Sequence, residues 1–246
     1  MKKGWWMGLL LGTAVWATAN PAATPRPQTG PWWMERHEKK LEEVRRLSAE
    51  VVFLGDSITQ NYEDPAWQPV WNRYYGDRSA VNLGFSADST ANVLWRIEHG
   101  ELGHLRPRLV VVMIGTNNSG LYHWTAPQTE EGIDAVVAEV HKRVKAAHIL
   151  LLGILPTDMD AEKRTTDEAV NSYLGDKYKS SRYVTFMDVG SVLLSHARPD
   201  PSLYAEPICL HPNPQGQEKV AQAIEPTVAR LLHEPVRETP SEDDEP

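Results

Sequence analysis

The chain has 246 residues, enough for one medium-sized domain with a sizeable core. Its 41% hydrophobic and 24% charged residues are ordinary for a soluble globular protein. A net charge of −8 without a basic stripe argues against a nucleic-acid partner, and Cys209, the only cysteine, leaves no internal disulfide, so stability must come from the core.

Lys2-Lys3 is a basic start, and the apolar stretch from Gly4 to Val15 is too short to span a bilayer comfortably. Ala17-Thr18-Ala19 matches a small-residue cleavage site. Residues 1–19 therefore read as a secretory signal peptide, with an uncleaved anchor as the alternative, and imply a periplasmic or secreted protein. Once the leader is removed, no membrane contact is expected. Residues 20–34 begin with a Pro-, Thr- and Ala-rich run and read as a linker. Of the nine tryptophans five precede residue 34, so on this reading they say little about the core.

A single domain is expected over 35–232. Leu41, Val44 and Leu47 sit at helical spacing in the charged run 35–47, a surface helix. Val51–Leu54 is the first strand and Ala80–Leu83 the second. Val93, Leu94 and Ile97 mark a helix over 89–99. The fully apolar run Leu109–Ile114 fits a central parallel strand covered on both faces. Ile133, Val136, Val137, Val140 and Val144 define an amphipathic helix, followed by a strand at His148–Leu152. Val170, Tyr173 and Leu174 mark another helix, and Tyr183–Met187 a fifth strand. The last helix carries Val220, Ile224, Val228, Leu231 and Leu232, with a kink expected at Pro226. Residues 233–246 are acidic and Pro-containing and read as a disordered tail. Strands alternating with helices, without a hairpin signal, predict a five-stranded parallel sheet in a three-layer α/β/α sandwich.

In such a fold the chemistry sits in loops at the carboxyl ends of the strands. Gly55-Asp56-Ser57 breaks the first strand and leaves a hydroxyl at its end. Ser57 is either a nucleophile or the cap of the following helix. Asn82 to Thr90 ends the second strand; its backbone N–H groups can face an anion, or Asp88 can cap the next helix. Gly115-Thr116-Asn117-Asn118 follows the central strand, and adjacent amides there are expensive to bury without partners. One of them points into a site, or the pair forms an Asx-type turn. His211 lies in Leu210-His211-Pro212-Asn213-Pro214, where two prolines stiffen the backbone around the ring.

Gly55-Asp56-Ser57-Ile58, the Asn82-to-Thr90 loop, Gly115-Thr116-Asn117-Asn118 and Leu210-His211-Pro212 resemble, in order and context, the four blocks of the SGNH (GDSL-type) hydrolases. The resemblance is nearest to the bacterial branch similar to platelet-activating-factor acetylhydrolase catalytic subunits, and covers about 35–232. It implies a flavodoxin-like fold and a serine esterase working without metal or cofactor. Ser57 would be the nucleophile and His211 the base. The N–H groups of Ser57 and Ala87 and the Asn117 amide would form the oxyanion hole. Two positions depart from the family pattern. Ala87 stands where the family usually has glycine, which matters if the loop needs positive φ. Ile208 stands where the family has the aspartate that holds the imidazole, three residues before the histidine.

Loss of that carboxylate costs a serine protease about 10⁴ in rate. Glu206, Asp188 or a backbone carbonyl could substitute. With no substitute the chain would be a weakened enzyme, or a non-catalytic protein that keeps the cleft to bind an acylated glycan. The expected substrate is a short, acetyl-type ester, on a carbohydrate or another small molecule, because no long apolar lid is apparent. Hydrolysis of a lysophospholipid or other lipid is the alternative.

Overall fold

A computed structural model describes residues 19–237; residues 1–18 of the leader expected over 1–19, and the tail beyond 237, lie outside the described residues. Five parallel strands, β1 (Val51–Gly55), β2 (Ala80–Gly84), β3 (Leu109–Met113), β4 (His148–Leu152) and β5 (Val184–Met187), form one sheet in the order β2-β1-β3-β4-β5. The long helices are α1 (Pro31–Arg46), α4 (Thr90–Glu98), α6 (Ala126–Arg143), α7 (Ala161–Tyr178) and α8 (Pro214–Leu232). Between them lie the short α2 (Ser57–Gln60), α3 (Gln68–Tyr75) and α5 (Thr116–Gly120).

The strands are apolar on both faces because both faces are covered. Val52, Leu54, Val110, Val112, Ile149 and Leu151 pack with Val93 and Ile97 of α4, Ile133, Val136 and Val140 of α6, and Val170 and Leu174 of α7. Their neighbours Val51, Phe53, Leu109, Val111, Leu150 and Leu152 pack with Val70, Tyr74 and Tyr75 of α3 and Val220, Ile224 and Val228 of α8. Each fully buried Val, Leu or Ile contributes about 1.5–3 kcal/mol, so these two clusters carry the stability that no disulfide supplies. This is the expected three-layer α/β/α sandwich, with the strand order of flavodoxin-like sheets. The α8 helix runs on through Pro226 to Leu232. Among the described residues no helix is long and apolar enough to cross a membrane.

Three expectations need correction. The stretch 20–34 is not a linker: Ala22 and Trp33 are fully buried, Thr90 Oγ1 donates to Ala22 O at 2.7 Å, and α1 already begins at Pro31. Its anchors are single polar and aromatic side chains, which leave no periodic signal. The tail read as disordered from 233 lies on the domain through 237. Arg78 Nε donates to Glu234 at 2.9 Å, and the Arg237 N–H donates to Glu225 at 2.9 Å. Finally, a hairpin does occur, between the two-residue strands β6 (Leu194–Ser195) and β7 (Arg198–Pro199), too short for an alternating pattern.

The parallel register places the site. Gly55 pairs with Gly84 on one side and Met113 on the other, so the loops after β1, β2 and β3 leave the sheet side by side. The strands meet closely there. A Cβ on Gly84 would lie 2.3 Å from Gln60 N, which reserves that position for glycine.

Candidate active site

Ser57 opens α2 at the carboxyl end of β1. Asp56, not Ser57, is the helix cap: its carboxylate accepts from Ile58 N at 3.0 Å. Asp56 is buried, and burial lifts its carboxyl to about 7 against the opposing hydrogen bond from Ile58. Capping by Asp56 leaves the Ser57 hydroxyl free, and it lies 2.9 Å from His211 Nε2.

The histidine comes from a tight loop before α8. Tyr204 bridges to Pro212, Ala205 N donates to His211 O at 2.9 Å, and Asn213 N donates to Leu203 O at 2.9 Å. Inside this loop Glu206 Oε1 lies 2.6 Å from His211 Nδ1 and also accepts the His211 backbone N–H at 2.9 Å. The Nδ1–H tautomer satisfies both contacts of the ring: Nδ1 donates to the carboxylate and Nε2 accepts from Ser57. Ile208 leaves no gap: of the substitutes named for the family's aspartate, Glu206 is the one brought to the imidazole. A glutamate five positions before the histidine reaches the nitrogen that the family's aspartate reaches from three. Ile208 is 45% exposed, and its carbonyl accepts from Thr157 Oγ1 at 3.1 Å and Asp158 N at 3.0 Å.

Asp188, the other candidate acid, is not brought to the imidazole. Its carboxylate accepts from Gly190 N at 3.0 Å and from Asn171 Nδ2 at 3.4 Å, a turn beyond β5. It lines a cavity of about 370 Å³ with Pro156, Asn171 and Leu194, to which Ser57, Asn117 and His211 do not contribute.

The two amides after β3 divide their work. Asn118 is buried and structural: Oδ1 accepts from Thr90 N at 3.1 Å and Nδ2 donates to Thr90 Oγ1 at 2.8 Å. Asn117 is half-buried, and its Nδ2 donates to Asp88 O at 2.9 Å, which sets the amide against the second loop with one hydrogen left over. Gly115 makes the turn at φ 131, where a Cβ would meet Ile154 Cδ1 at 2.8 Å. From below, buried Lys163 Nζ donates to Thr116 O and Ser119 Oγ, both at 3.0 Å, and to Asp167 at 2.7 Å, so α5 is held on either side of Asn117.

Ala87 adopts φ 61, so the loop does need the left-handed conformation that glycine supplies in the family. For alanine that costs about 1–2 kcal/mol. Among the described residues neither the Ser57 nor the Ala87 N–H has a hydrogen-bond partner. Asp88 does not cap α4; Ser89 does, in a reciprocal box with Asn92. Asp88 is instead fully buried and accepts from Arg96 Nε at 2.8 Å, Trp33 Nε1 at 2.7 Å and Gln28 Nε2 at 2.7 Å. Burial lifts its carboxyl to about 6, with the Arg96 charge opposing. Arg96 also pairs with buried Glu101, which meets His37 Nδ1 at 3.0 Å. Sequence reasoning missed this network. The one available signal was Arg96 lying among Val93, Leu94 and Ile97, a cation on a helix that packs against the core.

Among the described residues no group of three or more His, Cys, Asp or Glu side chains is arranged to hold a metal ion. The arrangement present is a hydroxyl, an imidazole and a carboxylate in series, beside an amide side chain and two backbone donors. That set suits acyl transfer through a serine.

Comparisons with known proteins agree. The GDSL-like Lipase/Acylhydrolase family model matches residues 53–219. The chain is 32% identical to the platelet-activating factor acetylhydrolase IB subunit alpha1 of Pongo abelii over 218 residues, 87% of this chain and 91% of that one. With the Bos taurus alpha1 subunit identity is 40% over 141 residues, a match that spans 56% of this chain and 58% of the bovine protein. Among solved structures, a GDSL-like lipase from Bacteroides thetaiotaomicron superposes with a TM-score of 0.64 at 19% identity, covering 80% of this chain and 98% of that one. A carbohydrate acetylesterase from Sinorhizobium meliloti gives a TM-score of 0.56 at 20% identity, covering 74% and 98%. At such identities the structures speak for the fold alone. Family match, relatives and fold converge: the chain belongs to the GDSL-like lipase/acylhydrolase family, the SGNH hydrolases.

Proposed function

We propose that this protein is an exported serine esterase that removes short acyl groups, acetyl above all, from a carbohydrate or similar small alcohol. The observation that carries the chemistry is the unbroken series Ser57 Oγ–His211 Nε2 at 2.9 Å and His211 Nδ1–Glu206 Oε1 at 2.6 Å. Ser57 Oγ attacks the ester carbonyl carbon as its proton passes to Nε2. Glu206 holds the ring in the accepting tautomer and stabilises the imidazolium. The Ser57 and Ala87 N–H groups and the free hydrogen of Asn117 Nδ2 receive the oxyanion, each donor worth about 10²–10³ in rate. His211 returns the proton to the leaving alcohol. Water then repeats the sequence on the acyl-enzyme and releases the carboxylic acid.

The acetyl preference draws support from the relatives, whose name specifies an acetylhydrolase. The carbohydrate half is our reading of an acidic enzyme whose first residues have the form of an export leader. The relatives' name also favours a second reading, an acetylated lipid as substrate. In either case Ser57→Ala abolishes hydrolysis of p-nitrophenyl acetate, by a factor of about 10⁴ or more, and prevents labelling by a fluorophosphonate. Retained turnover removes Ser57 from the role. Faster cleavage of acetylated xylan than of an acetylated phospholipid supports the carbohydrate reading, and the reverse order overturns it.

A further inference from the structure

The strap 20–37 lies before the stretch that the family model matches, yet it holds the second loop of the site. The two hydrogens of Gln28 Nε2 go to Ser86 O at 2.9 Å and to Asp88 Oδ1 at 2.7 Å, the residues on either side of Ala87. Trp33 Nε1 donates to the same carboxylate oxygen at 2.7 Å. A carbonyl and a carboxylate both accept, so only the amide nitrogen of Gln28 can serve them. The strap is itself tied down beside Gln28: Arg26 N donates to Ala91 O at 3.1 Å, and Asn92 Nδ2 donates to Arg26 O at 3.0 Å. Pro25 and Pro27 fix φ at their own positions and limit the backbone that presents the amide.

Ala87 at φ 61 is the strained residue of this loop. Left alone, an alanine relaxes toward negative φ, and its N–H rotates with the backbone. We infer that Gln28 is a positioning residue for the reaction: its amide brackets Ala87 from both sides, keeps that residue left-handed, and so holds its N–H for the oxyanion. The role rests on the function proposed above. It also accounts for alanine being tolerated where glycine is usual, since the brace supplies what the side chain takes away.

The test is Gln28→Ala in the full chain. Expected is a fall of about tenfold in kcat on p-nitrophenyl acetate, with KM within about twofold. Adding Ala87→Gly to Gln28→Ala restores most of the loss, because glycine enters the left-handed region without the penalty that alanine meets there. An unchanged kcat in Gln28→Ala, or a loss that Ala87→Gly does not recover, overturns the inference. NMR of the Ala87 backbone reads the loop without any turnover. Loss of its left-handed signature in Gln28→Ala supports the brace, and retention overturns it. Absence of Ser57-dependent turnover in the unmodified protein sinks the functional reading instead, and the NMR result still decides the brace.

Discussion

The two halves of the site are built to different standards of burial. Around the hydroxyl and the oxyanion donors, Asp56, Asp88, Arg96, Glu101, Asn118 and Lys163 are all buried and all paired. Around the base, the His211 and Glu206 side chains are 29% and 28% exposed, on a loop held mainly by its own backbone bonds. Charge near the anion-binding loops is locked in low dielectric, where an ion that loses its partner is costly. Charge on the base side can be solvated. Damage to the first half should therefore register in stability, and damage to the second in turnover.

Glu206→Gln breaks the second half alone. Hydrolysis of p-nitrophenyl acetate should fall by about 10³–10⁴, as when a triad acid is neutralised. Urea unfolding should move by no more than about 1 kcal/mol, since the carboxylate is partly solvated. Arg96→Met is the mirror experiment. It strands Asp88 and Glu101 as buried carboxylates without their cation, at about 3–5 kcal/mol of stability by denaturant titration. Should Glu206→Gln unfold the protein, or Arg96→Met leave stability untouched, the division is wrong.

The smallest effect is the pH dependence of the buried half. Asp56, held at about 7 by burial, binds its proton more tightly folded than unfolded, where its ordinary value is 3.8. Its contribution is complete below the ordinary value and is lost as pH climbs through about 7. Stability should thus decline by roughly 2–3 kcal/mol between about pH 5 and pH 7. Asp88, raised to about 6, adds to the slope in the same direction. Asp56→Asn keeps an acceptor for Ile58 N and should flatten most of the dependence; an unchanged slope refutes the assignment.

The sandwich was legible because burial on both faces forces apolar runs, and Leu109–Met113 and His148–Leu152 could hardly be anything else. Ser57 and His211 were legible as polar groups at a strand end or in a stiffened loop, whereas Asn117 was set apart from Asn118 only by the family resemblance. What stayed hidden rests on isolated side chains. The strap was masked by its Pro-rich composition, although Gln28, Trp33 and Arg36 bind the loop that ends β2. The helix α3 was lost among aromatic residues: Trp71 and Tyr75 pack on Phe53, and Tyr74 on Tyr75, rather than following a simple stripe. Glu206 could be named but not chosen over Asp188. The choice depends on the turn at Cys209, where φ is 51 and which folds 206 back beneath 211.

That turn has a consequence for how such a site changes over time. Because one carboxylate oxygen grips both the ring and the main chain of the same histidine, proton acceptor and counter-charge form a single prefabricated part. Insertions upstream or downstream cannot misalign its two members. Only its seating against the nucleophile has to be preserved. The heritable unit here is a short closed segment, 206–211, that could be transplanted whole into a scaffold whose own acid has been lost.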